Sequence, residues 1–257
     1  MKRVCIFVDG ENFRHSIEGL FPGEFDKKDY LPKRARWAEF FDWIAYQACG
    51  AEAFRLRTYW YVIGEVDFFP WRFPSPHREE TDLRRILHKD LATKERIAIA
   101  NDPTAEMETI VAELKKQRES LLGRLNGWKA LQNGISLKHN FIEFRRAGTI
   151  SFNLFEKKFG DEKAVDVQLA TDLITLRDIY DHAIIVSGDA DYVPAVQYAK
   201  NCGKVVINVS FKTKNDKLLP GGARRLNQLT DKCLEVPYDR MRDFLAVDGA
   251  ELPLGTE

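Results

Sequence analysis

The sequence predicts an α/β fold in which a central, mostly parallel sheet is flanked by helices and interrupted by a helical or loop insertion. Three observations point there. Val4–Val8 and Ala183–Val186 are short, wholly apolar runs that read as strands buried on both faces. Each run ends in an acidic turn containing glycine. Through the last third of the chain, amphipathic helical segments alternate with strands, the rhythm of a parallel sheet with helices on both faces.

The elements follow in order. After Val4–Val8 the chain turns at Asp9-Gly10, and Asn12 is placed to cap a helix beginning near Phe13. Trp37, Phe40, Phe41 and Ile44 recur at helical spacing, giving a helix over about 34–48 that Gly50 ends. The aromatic and β-branched run 54–62 is a strand. From about 64 to 103, prolines 70, 74 and 76 interrupt Phe68, Phe69, Trp71 and Phe73, and a charge-rich stretch follows. This segment reads as an insertion with a loop and one or two helices. Asp102-Pro103 then opens a helix whose stripe runs from Met107 to Leu125, with Gly127 closing it. A strand over about 137–146 and a loop or hairpin over 148–160 come next. Residues 166–176 form a helix, 183–186 a core strand, and Pro194 starts a helix running to Gly203. Strands at 204–209 and 233–236 bracket a helix at 223–230. One domain is expected over residues 1–240, with a tail at 241–257.

Composition bounds the function. Hydrophobic residues make up 44% of the 257, enough for a sizeable core. The 39 basic and 39 acidic residues cancel, so no global basic field steers an anionic partner, and binding nucleic acid requires a local patch. Cys5, Cys49, Cys202 and Cys233 form no CxxC pair and read as buried free thiols in a reducing cytoplasm rather than as disulfides or zinc ligands. The apolar run after Met1-Lys2-Arg3 is too short for a signal peptide, and no stretch approaches a membrane span.

The acidic turns carry the chemistry. Functional groups in open parallel sheets gather at the carboxyl ends of strands where strand order reverses. If the two core strands are neighbours, Asp9, Asp189 and Asp191 meet at one edge, where Gly10 and Gly188 allow sharp bends. Asp166 begins the sheet-facing side of its helix and can reach the same edge. Asp172 falls beside that stripe and is a weaker candidate for a supporting role. Clustered carboxylates favour a bound cation. Oxygen-only ligands select Mg²⁺ or Mn²⁺, a site suited to hydrolysing phosphodiesters. Against this, a lone Asp after a strand also serves as a turn or helix cap.

These residues carry a resemblance. The segments Phe7-Val8-Asp9-Gly10-Glu11-Asn12, Lys163-Ala164-Val165-Asp166 through Asp172-Leu173, and Tyr180-Asp181-His182-Ala183 through Val186-Ser187-Gly188-Asp189-Ala190-Asp191-Tyr192-Val193-Pro194 resemble the NYN domain of the LabA-like type, as does Gly203-Lys204. The similarity covers most of 1–62 and 120–237. It implies a PIN-like nuclease fold and a divalent-metal ribonuclease. It also implies that Asp9, Asp166, Asp189 and Asp191 bind the metal, with Asn12 and Ser187 beside the metal or the scissile phosphate. Ala164 departs from the family's usual glycine.

Among basic groups that could track an RNA backbone, Lys212 and Lys214 follow a strand next to the site. Arg14, Arg145-Arg146, Lys157-Lys158 and Arg224-Arg225 are further candidates, and each also reads as a solvated surface charge. The Phe68–Phe73 stretch could stack on bases or pack the insertion onto the core. His15 could approach the site, whereas His77, His88, His139 and His182 lack ligand spacing. A non-catalytic nucleic-acid- or protein-binding scaffold is the alternative function. A haloacid-dehalogenase-like phosphatase ranks last, because Glu11 stands where that family needs a second aspartate. The oligomeric state is left open, a homodimer included.

Overall fold

The structure, a computed structural model, describes residues 1–25, 31–71, 73, 78–220 and 223–247. His77, prolines 74 and 76, and the expected tail from 248 onward lie outside them. The chain divides into two compact units: Met1–Val62, Trp128–Ala147 and Ala164–Glu257 form the first, and Ile63–Gly127 with Gly148–Lys163 the second.

In the first unit, β1 (Lys2–Asp9) lies between β2 (Ala53–Phe69) and β5 (His182–Val186), parallel to both. Outward from β5 come β6 (Val205–Lys212) and, parallel to it, β8 (Lys232–Val236). The two-residue β7 (Leu218–Leu219) pairs antiparallel with β6, and β3 (Ile142–Asn153) flanks β2 on the other side. The chain leaves β1 first toward β2 and later returns on its other side as β5, so strand order reverses at the β1/β5 boundary.

Alternation along β1 builds three layers. Val4, Ile6 and Val8 share a core with α1 (Gly10–Leu20), α2 (Trp37–Cys49) and α9 (Tyr238–Leu245). Cys5 and Phe7 share the opposite core with α6 (Val165–Thr175), α7 (Val193–Asn201) and α8 (Arg224–Leu229). The predicted PIN-like three-layer α/β arrangement is what the first unit shows.

The second unit contains α3 (Glu79–Leu87), α4 (Leu91–Ala98), most of α5 (Pro103–Lys138), the distal parts of β2 and β3, and β4 (Lys158–Lys163), antiparallel to β3. Phe68, Leu83, Leu87, Met107, Ile110, Val111, Leu114, Phe152 and Leu154 form its core.

Several boundaries moved. β2 runs on to Phe69, beyond the expected 62. Asp102 caps α5 as expected, accepting from Thr104 N at 2.9 Å, but the helix passes through Gly127 to Lys138. A glycine inside a helix costs only about 1 kcal/mol, and Leu131 and Ile135 keep packing beyond it. The expected tail begins inside α9, whose Met241, Phe244 and Leu245 are buried. Phe68 is buried and Trp71 lies under Arg118 at 5.1 Å, so the aromatic stretch packs within its own unit. Cys5 and Cys49 are buried, whereas Cys202 is exposed. Among the described residues, no helix is long and apolar enough to cross a membrane.

Candidate active site

β1 hands directly into α1 at Asp9. The helix begins at Gly10, not near Phe13, and Asp9 is its cap: Oδ1 accepts from Asn12 N at 3.1 Å. That leaves the Asn12 side chain to donate from Nδ2 to Asp9 Oδ2 at 2.7 Å and to accept from Gly188 N at 3.4 Å, joining the two strand ends. The glycines serve close approach, not a reversed bend, for neither has positive φ. A Cβ on Gly10 would lie 2.3 Å from Tyr61 O, and one on Gly188 2.4 Å from Pro220 Cγ.

From β5 comes Ser187, whose Oγ donates to Asp9 Oδ2 at 2.9 Å and accepts from Asp189 N at 3.1 Å. Asp189 caps the short turn at 190–192, its Oδ1 accepting from Asp191 N at 2.9 Å, and Asp191 is exposed. Tyr192 follows, fully buried. Its hydroxyl lies 3.1 Å from Asp9 Oδ2 and 2.5 Å from Asp166 Oδ1. Asp166 sits in the first turn of α6, after Ala164 in the left-handed region (φ 81°, ψ −12°).

The fold therefore joins Asp9 and Asp166 through one hydroxyl and sets Ser187 and Asn12 against Asp9. Asp189 is occupied as a cap beside them. Among the described residues, no three His, Cys, Asp or Glu side chains are grouped so as to hold a metal. Tyr192 was not anticipated: a tyrosine opening a helix reads as core, and only its place after the acidic turn hinted otherwise. Asn208, fully buried on β6, was also missed. Its Nδ2 donates to Ser187 O at 3.1 Å and to Asn227 Oδ1 at 2.6 Å, fixing the turn from beneath.

Burial pushes the Asp9 carboxyl above its ordinary range, and the Asp166 charge adds to this. The Asn12 N–H and the Ser187 and Tyr192 hydroxyls oppose the shift without cancelling it. Burial, then the Asp9 charge, raises the Tyr192 hydroxyl as well. One phenolic proton stands between two carboxylates and can be donated fully to only one of them.

Asp172 lies elsewhere in the network. It is buried and accepts from Tyr61 Oη at 2.8 Å, Gln168 Nε2 at 2.9 Å and the Arg145 guanidinium, which stacks 4.1 Å over Tyr59. Lys212 pairs with Glu235 at 2.7 Å and Lys214 lies 4.9 Å over Tyr238, so both predicted RNA contacts are engaged within the fold. Arg14 pairs with Glu11 and Glu18, and Arg146 bonds to Gln132 and Asn133. His15 is exposed.

A model of the NYN domain matches residues 73–220. The match takes in Asp166, Ser187, Asp189 and Asp191, together with much of the 64–103 segment, and stops short of Asp9. No curated protein matches the chain. Among solved structures, the crystal structure of a protein of unknown function from Vibrio parahaemolyticus is similar with a TM-score of 0.39 at 14% identity, covering 91% of this chain and 93% of that one.

Proposed function

The chain belongs to the NYN domain family, a PIN-like nuclease family, and on that footing we propose that it is a divalent-metal-dependent ribonuclease acting at the Asp9–Asp166 edge. One observation carries the reading. Two carboxylates from distant segments converge on the Tyr192 hydroxyl at the point where strand order reverses. A structural cap would need only one of them.

The donor set suits a hard cation: all oxygen, with a buried carboxyl pushed up and a second carboxylate beside it. Asp9 and Asp166 would hold Mg²⁺ or Mn²⁺, with Asp189 and Asp191 as further ligands. When bound, such an ion supplies Lewis acidity and charge neutralisation at a phosphate. The protein's own groups set the frame. Asn12, Ser187 and Tyr192 fix the Asp9 carboxylate through three contacts to Oδ2, and Tyr192 spaces it from Asp166. Asn12 and Ser187 lie where a scissile phosphate would meet the site. The RNA partner, the LabA-like subtype and a cytoplasmic setting belong to this same proposal.

The test is cleavage of single-stranded and structured RNA with Mg²⁺ or Mn²⁺, with and without EDTA. Asp166→Asn should lower the rate on the order of 10²–10³-fold. Undiminished cleavage by that variant would sink the assignment. A second reading, a non-catalytic scaffold on the same fold, is favoured by the lack of a three-carboxylate group among the described residues. Titration of the wild type with Mn²⁺ separates the two: no heat of binding with normal folding favours the scaffold.

A further inference from the structure

A groove of about 800 Å³ lies within the second unit, bordered by α4, α5 and the hairpin joining β3 to β4. Its floor is apolar, with Ile110, Leu114, Phe152 and Leu154 all buried. The hairpin segment Phe155-Glu156-Lys157-Lys158-Phe159 interleaves aromatic and basic residues, and Phe155, Lys157 and Phe159 line the groove. Phe159 is held edge-on to Phe152 at 4.7 Å, yet it remains 44% exposed. Lys116 and Arg124 line it from α5.

The charge balance favours an anion. Arg96 pairs with Glu113 at 2.7 Å, so those two lining charges offset each other. Lys116, Arg124 and Lys157 then stand against Asp90 alone, whose carboxylate caps α4 by accepting from Thr93 N at 2.8 Å. In a chain with no net charge, this local excess lies beside exposed rings.

We infer that this groove binds single-stranded RNA, with Lys116 and Lys157 at phosphates and Phe155 and Phe159 stacking on bases. The inference rests on the ribonuclease reading for its substrate class and adds a second contact region to it. An acidic peptide would satisfy the lysines but leave the rings without stacking partners. A duplex keeps its bases stacked on one another and offers none to the rings.

The experiment measures binding of a labelled single-stranded oligoribonucleotide of about ten nucleotides to the full chain in EDTA, by fluorescence anisotropy. Lys116→Glu/Lys157→Glu and, separately, Phe159→Ala should each weaken binding about tenfold or more while melting like the wild type. The double-lysine variant should also flatten the salt dependence. Wild-type affinity in both variants, or no binding by the wild type, overturns the inference. So does equal competition by polyglutamate, which would point to an acidic peptide instead. If binding depends on the groove but no protein cleaves RNA, the nuclease reading fails and this inference stands. If the groove variants bind and cleave like the wild type, the inference fails and the nuclease reading stands.

Discussion

Two buried aspartates in the same layer have opposite surroundings. Asp9 is 2% exposed and Asp172 is 6%, and each accepts a hydrogen bond from a tyrosine hydroxyl. Around Asp172 a guanidinium completes the set, so its charge is matched where it stands. Around Asp9 the donors are neutral and the nearest charge is a second carboxylate, Asp166. A charge matched inside the protein holds elements together, here α6 to β2 and β3. An unmatched one lowers stability until something outside supplies the compensation, which is the signature of a binding or catalytic site.

The sharpest way to break this comparison is to remove one compensating group at each place. Arg145→Met leaves Asp172 buried and unpaired, and should cost about 3 kcal/mol in urea denaturation. Asp9→Asn in metal-free protein should cost nothing or stabilise by about 1 kcal/mol, because it deletes a repulsive charge. A loss at Asp9 as large as that at Arg145 would mean that both sites are structural.

The pH dependence tests the same contrast. A carboxyl raised in the folded state binds its proton more tightly there than in the unfolded chain. Its stabilising contribution is therefore full below the ordinary carboxylate pKa of about 3.9 and is lost as pH rises through the folded value. In EDTA, the wild type should lose stability relative to Asp9→Asn as pH rises through that window. Mn²⁺ should restore the wild type and not the variant. A flat difference between the two melting curves across pH 4–7 contradicts the raised Asp9 carboxyl.

What could be read from sequence was whatever is encoded by local pattern. The wholly apolar β1 and β5, the alternation of helix and strand, and the acidic turns placed Asp9 and Ser187 at one edge before any coordinates. Spacing could not foresee which polar atoms would meet. Asn12 reads as a cap, but Asp9 takes that role because the helix starts one residue after the strand ends. Tyr192 and Asn208 look like core residues, and their importance exists only in three dimensions. Lys212 and Lys214 lie where RNA contacts were expected, yet Glu235 and Tyr238, more than twenty residues on, engage them. α9 was read as tail because eight residues rich in charge show too little periodicity alone.

Asn208 offers a smaller test of how the unmatched site is held. Both of its amide hydrogens are used, one on Ser187 O and one on Asn227 Oδ1. Asn208→Leu leaves those two acceptors without donors and should cost about 2 kcal/mol. If Asn208 positions the turn, Mn²⁺ affinity should fall as well. A stability loss with unchanged Mn²⁺ binding would reduce it to a core residue.

The smallest expected effect lies at the start of α6, the helix that bears both Asp166 and Asp172. Ala164 adopts a left-handed conformation that costs a side-chain-bearing residue about 1–2 kcal/mol, while glycine loses part of that advantage to greater unfolded-state freedom. Ala164→Gly should thus gain up to about 1 kcal/mol, a rise of about 2–4 °C in melting temperature. Asp172 anchors the middle of the helix through Tyr61 and Arg145, so the relief is confined to the turn that presents Asp166. The gain should persist in an Arg145→Met background, adding to that loss independently. If it instead vanishes there, the strain at Ala164 is imposed by the Asp172 clamp, and the two aspartates are coupled through α6 rather than set apart.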